Sequence, residues 1–401
     1  METKECRSCG SSHLISVLDL GDQPWCNDLV TPENNDSVKT YPLHLVSCRH
    51  CDLLQLNYTV PKEVMFKNHG YLSGMTDTLK KHFYDIAKEN IEQFGLVSSD
   101  LIVDIGGNDG TQLLQYKEQG LENVINVESA ENIAKLSSDA GVLTINGFFN
   151  EALVKGAFIE SSAKIINAAG VFFHLEELHS VIKGIKYLLA EDGVFTVQCM
   201  YAGELVKNQS FDMIYHEHLC YYTLNSLANL LKPYGLNIFD AYHSPIHSGS
   251  LVVKVCHGTE YPQTIRYFQT EEVDSLFTLT DFLRFADKIR DKKDILYAFL
   301  NNLKRQGNTV YAYGAPAKGN TLLNYEGIDS TIIEKAVEIN DLKIGSMLPV
   351  SNIPIEKESP DDLPDYYLLL SHNFQEEILK KNKGNGVKFI IPFPEIKVIE
   401  A

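Results

Sequence analysis

The chain has 401 residues, 44% of them hydrophobic and 22% charged, with a formal net charge of −18. That length exceeds one ordinary domain and predicts two or three, while so acidic a surface repels phosphate backbones and anionic bilayers, so neither nucleic acid nor membrane is an expected partner. No run approaches the ~18 apolar residues of a membrane span, the opening Met1–Cys6 lacks a signal-peptide pattern, and cytoplasmic residence with reduced cysteines is expected.

Residues 1–72 are expected to form a zinc-binding domain. Cys6-Arg-Ser-Cys9 and Cys48-Arg-His-Cys51 are paired C-x-x-C knuckles. Each presents two thiolates from one tight turn, and together Cys6, Cys9, Cys48 and Cys51 complete a tetrahedral site with no open position, which is structural zinc. Redox chemistry is the weaker reading, since thioredoxin-like motifs come singly beside a βαβ unit. Cys26, Cys199, Cys220 and Cys256 are scattered and read as buried or incidental.

From Thr78 the spacing of Leu79, Phe83, Ile86, Ile91 and Phe94 predicts a helix. Strands follow at Asp100–Asp104, Leu121–Glu128, Ala163–Ala168 and Gly193–Met200, with a helix over Leu175–Ala190. Alternation of this kind predicts a Rossmann-like α/β domain with a parallel sheet, here over 73–257. One or two helices over 272–304 precede a second series of strands at Thr309–Tyr313, Ile332–Ile339, Tyr366–Leu370 and Lys388–Ile391, a smaller α/β domain over 258–401.

After the first central strand comes Asp104-Ile-Gly106-Gly107-Asn108-Asp-Gly110, and Glu128 ends the second. Glycines there let a ligand approach the backbone, and the acidic strand end can accept from ribose hydroxyls. The dinucleotide spacing G-x-G-x-x-G is not met. Asp104 would repel a pyrophosphate and suits the methionine ammonium of S-adenosylmethionine, so that cofactor is expected. Further on, His174 follows one strand end, and Tyr215-His216-Glu217-His218 precedes Tyr221-Tyr222. Such residues at the strand ends of a parallel sheet face the crevice. Metal binding is the rival reading, with His216 and His218 alternating in a strand, but no third ligand is evident. Gly314-Ala-Pro-Ala-Lys318-Gly-Asn320 has P-loop-like glycines with Asn320 where the P-loop lysine belongs. It reads either as a grip on phosphate or sugar at a helix start, or as a packing turn.

These motifs resemble, over essentially the whole chain, the sugar-nucleotide C-methyltransferases that place a methyl on C3 of 4-keto-deoxy sugars. The matching residues are the paired knuckles, Asp104–Gly110, Tyr215-x-Glu217-His218 and Tyr313–Tyr325. The resemblance implies His218 as the base that removes the C3 proton, Tyr215 as a competing base, and Glu217 as the group orienting substrate or His218. It also implies Tyr71 and His174 in the active site, a nucleotide handle between the last two domains, and Asp104, Gly106, Asn108, Gly110 and Glu128 at the cofactor. Lys318, Asn320 and Tyr222 are the expected substrate contacts. Departures from the family pattern fall at Asn340–Met347 and at His372, where a tryptophan is common. The expected partner is a nucleotide-linked keto sugar, and three domains around one cleft can act as a monomer. O- or N-methylation of a similar sugar, and a non-catalytic zinc and nucleotide-fold scaffold, are the alternatives.

Overall fold

The computed structural model describes residues 1–31, 34, 38–66, 72–246 and 249–400. Its described strands fall into three sheets. β1 (Leu14–Pro24) and β2 (Thr40–Cys48) pair antiparallel with Leu14 opposite Cys48, and β3 (Leu54–Leu56) returns along β2. Leu18, Leu43, Leu45, Leu54 and Leu56 are fully buried. This register brings both cysteine knuckles to one end of the sheet. Arg7, between the first two cysteines, fixes that end by donating to the Leu56 carbonyl (3.1 Å) and Thr59 Oγ1 (2.7 Å).

The helix Asp77–Phe94 buries Leu79, Phe83, Ile86 and Ala87, with Ile91 and Phe94 only partly covered, and Gly95 closes it in the left-handed region at φ 60°. Then follow β4 (Leu101–Ile105), β5 (Val124–Glu128), β6 (Leu143–Asn146), β7 (Ala163–Ala169), β8 (Leu189–Met200), β9 (Cys220–Tyr221), β10 (Leu236–Ser244) and β11 (Ser250–His257). Leu121, expected inside the second strand, lies before it, its N–H turned back to the Tyr116 carbonyl. The helix expected over Leu175–Ala190 is the shorter Leu178–Leu188. Seven of these strands form one sheet in the order β10-β11-β8-β7-β4-β5-β6. Only β11 runs against the rest. β9 leaves this domain and pairs with β3, closing the N-terminal sheet. Residues 236–257 carry no element in the sequence reading, yet form the β10–β11 hairpin. β11 has near-continuous apolar burial, which periodicity alone does not distinguish from a helix.

Three helices, Ile265–Asp274, Leu279–Lys292 and Ile295–Arg305, lead to the last sheet. It contains β12 (Val310–Tyr313), β13 (Ala336–Glu338), β14 (Ile355–Lys357), β15 (Tyr366–Leu369), β16 (Lys388–Ile391) and β17 (Lys397–Glu400) in the order β14-β13-β12-β15-β16-β17, with only β17 antiparallel. Chain order reverses at β4 in the central sheet and at β12 here. Both reversals open a crevice at the carboxyl ends of the strands. Among the described residues no helix is long and apolar enough to cross a membrane.

One charge network, buried at Lys254 and Asp240 and open to solvent at Arg266, ties the helix Asp77–Phe94 to β10 and β11. Lys254 on β11, fully buried, donates to Gln93 Oε1 (2.6 Å) and lies 3.4 Å from Glu89 Oε2, both on the helix Asp77–Phe94. Glu89 also pairs with Arg266 at 2.7 Å, and Arg266 with the buried Asp240. That helix carries Leu79 and Phe83 to the cavity wall. Replacing Lys254 with Ala removes a fully buried side chain along with its donor to Gln93 and Glu89 and is expected to cost about 2–3 kcal/mol in urea unfolding, whereas Lys254→Met, which keeps the stem, should cost less.

Candidate active site

The two crevices share one cavity of about 360 Å³. Its central-domain side is the loop after β4 with the ends of β5, β7 and β8. Gly106 and Asn108 line it, as does Glu128, whose Oε2 accepts from the Asn108 N–H (3.0 Å) and Oε1 from the Ala130 N–H (2.8 Å). The loop is tight. A Cβ on Gly106 would lie 2.7 Å from Val171 Cγ2, and one on Gly107 only 2.6 Å from Asn126 Oδ1 and 2.7 Å from Asp104 Oδ2.

Asp104 is placed differently from its expected role. It does not line the cavity but lies under Gly107, level with Asn126 on β5 and Asn167 on β7. Both carboxylate oxygens are buried with no hydrogen-bond partner among the described residues. Burial, and then the nearby Glu128, push its pKa well above the ordinary carboxylate range. A cation bound over the loop would oppose that shift, because an opposite charge favours the ionised form. One acid behind the loop and one in the wall therefore fit a cationic cofactor such as S-adenosylmethionine and disfavour a pyrophosphate. Gly110 also stands off the cavity, at φ 81° as N-cap of the helix Thr111–Glu118.

His174, Tyr215, Glu217 and His218 all line the cavity. The string 215–218 is a turn, closed by the His218 N–H donating to the Tyr215 carbonyl at 2.8 Å. In a turn neighbouring side chains diverge, so the shared strand face invoked for metal binding does not exist. His216 points away, its Nε2 donating to the Tyr41 carbonyl (3.2 Å). His218 Nδ1 donates to the Met213 carbonyl (2.8 Å), and His174 Nδ1 to the Glu217 carbonyl (2.6 Å). A carbonyl accepts only, so both rings carry their proton on Nδ1, and the neutral form carries its lone pair on Nε2. Their centroids are 5.1 Å apart, and Tyr215 packs on His218 at 3.8 Å. Burial pushes the Tyr215 phenol well above its usual pKa, with Glu217 adding to the effect.

The C-terminal sheet supplies the opposite charge. Lys318, in the first turn after β12, is 6% exposed and donates to Asn373 Oδ1 (2.8 Å). Burial lowers its pKa to about 8 against the raising effect of Asp212. Lys343 donates to the Ala315 carbonyl (2.8 Å), and burial lowers its pKa as well. The Ala315 N–H already donates to Glu338 Oε2 (3.0 Å), so this loop presents Lys318, rather than that backbone donor, to the cavity.

Several sequence expectations place residues elsewhere. Asn320 faces the N-terminal domain, donating to the Cys26 carbonyl (3.3 Å), and Tyr222 is fully buried with its hydroxyl on the Phe172 carbonyl (3.3 Å). Neither lines the cavity. His372 pairs with Asp212 at 2.7 Å and ties two domains together rather than contacting a ligand. Tyr71 lies outside the described residues. Conversely, Asn27, Lys62 and Phe66 line the cavity without any local motif that marks them, whereas Lys343 and Asn373 line it from the two segments that depart from the family pattern.

The four cysteines converge. Cys6 and Cys51 sulfurs are 3.5 Å apart, Cys9 and Cys48 3.6 Å, and all four lie within 4.8 Å of one another. A tetrahedral zinc at ~2.3 Å from each sulfur requires spacings of about 3.8 Å. Without a cation the cluster is unfavourable for thiolates, and burial, with hydrogen bonds to Cys48 and Cys51, pushes Cys9 up to about 11. The site thus suits zinc.

Family models match this architecture in chain order: "Putative zinc binding domain" over 6–66, "Methyltransferase domain" over 79–241 and "C-methyltransferase C-terminal domain" over 245–394. C-methyltransferase NovU of Streptomyces niveus is 33% identical over 408 aligned residues, 99% of this chain and 97% of that protein. The chain belongs to the C-methyltransferase family. Among solved structures, an S-adenosylmethionine-dependent methyltransferase from Clostridium acetobutylicum overlays with a TM-score of 0.37 at 14% identity, covering 45% of this chain and 92% of its own. The CcbJ methyltransferase of Streptomyces caelestis gives 0.35 at 13%, covering 44% and 90%.

Two outcomes test how this C-methyltransferase holds its ligands. Gly107→Ala forces the loop off Asn126 and Asp104, a distortion of about 1–3 kcal/mol, so calorimetry should show S-adenosylmethionine affinity falling about ten- to hundredfold; unchanged affinity would place the cofactor elsewhere. Chelation, or Cys48→Ser, should release stoichiometric zinc and unfold the small sheet at denaturant concentrations that leave the parent intact, because structural zinc sites contribute folding energy outright.

Proposed function

We propose that the cavity methylates C3 of a nucleotide-linked 4-keto-deoxy sugar through an enolate. The observation that carries this reading is the placement of His218, with Nδ1 tied to a carbonyl, in one cavity with the Gly106–Glu128 cofactor wall and the buried Lys318. A ketone at C4 acidifies the C3 hydrogen, and a neutral imidazole is suited to remove it. His218 Nε2 takes the proton, and the C3–H electrons move toward the C4 oxygen. Tyr215, kept protonated by burial, acts as a hydrogen-bond donor to that oxygen rather than as the base. Bound over Gly106, Asn108 and Glu128, S-adenosylmethionine would supply the electrophilic methyl to the C3 carbanion, its methyl–sulfur bond breaking as the neutral thioether leaves. Lys318 and Lys343, from the C-terminal sheet, hold the anionic nucleotide handle.

This reading keeps the turn 215–218 together as one catalytic unit. His174 shares the wall, and its Nδ1 bond to the Glu217 carbonyl fixes its ring beside His218. The domain limits 1–72, 73–257 and 258–401 correspond, on this view, to metal support, chemistry and substrate grip. A single chain contains every group the reaction uses, so a monomer suffices.

The deciding experiment is mass spectrometry of 4-keto nucleotide sugars incubated with enzyme and S-adenosylmethionine. The expected product gains one methylene, and loss of a solvent-exchangeable deuterium at C3 locates it on carbon; a methyl on oxygen or nitrogen would overturn the reading. His218→Ala should lower turnover by about 10²–10⁴-fold with cofactor affinity retained. Because burial lowers the Lys318 pKa to about 8, the KM for the nucleotide sugar should rise above that pH in the parent and rise less steeply in Lys318→Met, where only Lys343 remains to titrate.

A further inference from the structure

The N-terminal sheet reaches into the catalytic turn, and this carries an inference that rests on the methylation reading and goes beyond it. After Pro24 ends β1, the chain runs as Trp25-Cys26-Asn27-Asp28-Leu29-Val30. Trp25 Nε1 donates to Glu217 Oε1 at 2.7 Å, and Asn27 Nδ2 donates to the same oxygen at 2.6 Å. Between them, the Cys26 carbonyl accepts from Asn320 Nδ2 (3.3 Å), and Cys26 Sγ lies 3.8 Å from Thr321 Oγ1. Farther on, Val30 exchanges backbone hydrogen bonds with Met347 (3.1 and 2.8 Å). The segment is therefore clamped by the C-terminal domain on one side while its side chains grip Glu217 on the other.

We propose that Trp25 and Asn27 are positioning residues for methyl transfer, acting through Glu217. Glu217 is 3% exposed, and a buried carboxylate is tolerated only when its charge is met by donors. Two donors on one oxygen fix the plane of the carboxylate. They also fix the peptide that follows it, because the Glu217 carbonyl holds His174 and the next residue is His218. Asn27 itself lines the cavity. β1 spans the distance between the cysteine cluster and this grip: Leu14 at one end pairs with Cys48, and Pro24 at the other feeds Trp25. A packing contact between domains would have no need to end on a single oxygen beside the two histidines.

The test is a double-mutant cycle of Trp25→Phe and Asn27→Ala with Glu217→Ala, after zinc content and circular dichroism show each variant folded. Each single N-terminal variant is expected to lower kcat about tenfold, a charge-assisted hydrogen bond lost, with KM changed little. Combined with Glu217→Ala, neither should slow the enzyme further. Losses that add in full, or an unaltered kcat in both singles, would overturn the proposal. Should Trp25→Phe fail to fold, Asn27→Ala, which removes only an amide, carries the cycle alone. Trp25 is the sole tryptophan, so its emission reports the grip without turnover. The emission should shift in Glu217→Ala and not in His218→Ala; an emission unmoved by Glu217→Ala would refute the contact. If the parent methylates no keto sugar, the substrate reading fails, while the emission still decides whether Glu217 is held.

Discussion

A parallel sheet opens a ligand crevice where its strand order reverses, and this chain sets two such reversals around one cavity. The loops after β4 and β12 each begin at a strand buried in the middle of its sheet, where neither can move without disturbing two neighbours. The cofactor loop and the catalytic turn approach the cavity from strand ends or from turns pinned to them, while the helix Asp77–Phe94 adds Leu79 and Phe83 to the wall. The catalytic turn Tyr215–His218 lies between the short helical turn Phe211–Met213 and β9, and β9 belongs to the N-terminal sheet. Three separately formed sheets thus determine one set of side-chain positions.

Charge is sorted along the same lines. The central sheet brings acids, with Asp104 buried beneath the loop and Glu128 in the wall, while the C-terminal sheet brings Lys318 and Lys343. A chain with net charge −18 does not attract an anion at long range. Two lysines stripped of water in a low-dielectric cavity nevertheless interact with one far more strongly than surface lysines do. The lowered pKa of Lys318 records the cost of that dehydration, and an anionic ligand would offset it. In the proposed reaction the same asymmetry would order the cavity, with a cationic cofactor against the acids and an anionic handle against the lysines.

The sequence makes legible the parts whose chemistry is local. Paired cysteines two residues apart imply a tetrahedral metal wherever the chain folds, and glycines after an apolar strand imply a backbone approached closely. The turn at Tyr215–His218 was visible as a dense string of functional side chains, but its geometry was not. Read as a strand, it placed His216 and His218 together; as a turn, it sends them to opposite sides. Tyr222 and Asn320 point elsewhere for a related reason: each follows a cavity residue, His218 or Lys318, by a few positions, and nearness in sequence does not say which face a side chain takes. Asp104 stood one layer too deep because β4 carries its even and odd positions to different faces. Trp25 and Asn27 had no signal at all, since nothing near them in sequence indicates a carboxylate nearly two hundred residues away.

That distant contact gives the cysteine cluster a reason beyond local stability. The pair β1–β2, extended only by the short β3 and β9, forms a small sheet with a limited core of its own, and Trp25 lies just past its end. Four sulfurs drawn to one ion at the start of β1 would lock the register of β1 on β2, a register that runs along the strand to Pro24. The opposite face of the same segment is held by Asn320 and Met347, so the C-terminal domain must be docked before the grip on Glu217 is complete. An ion held by the four sulfurs would touch no reacting atom, yet the β1 register it fixes leads to Trp25 and Asn27, whose donors meet Glu217, and the Glu217 carbonyl in turn holds His174.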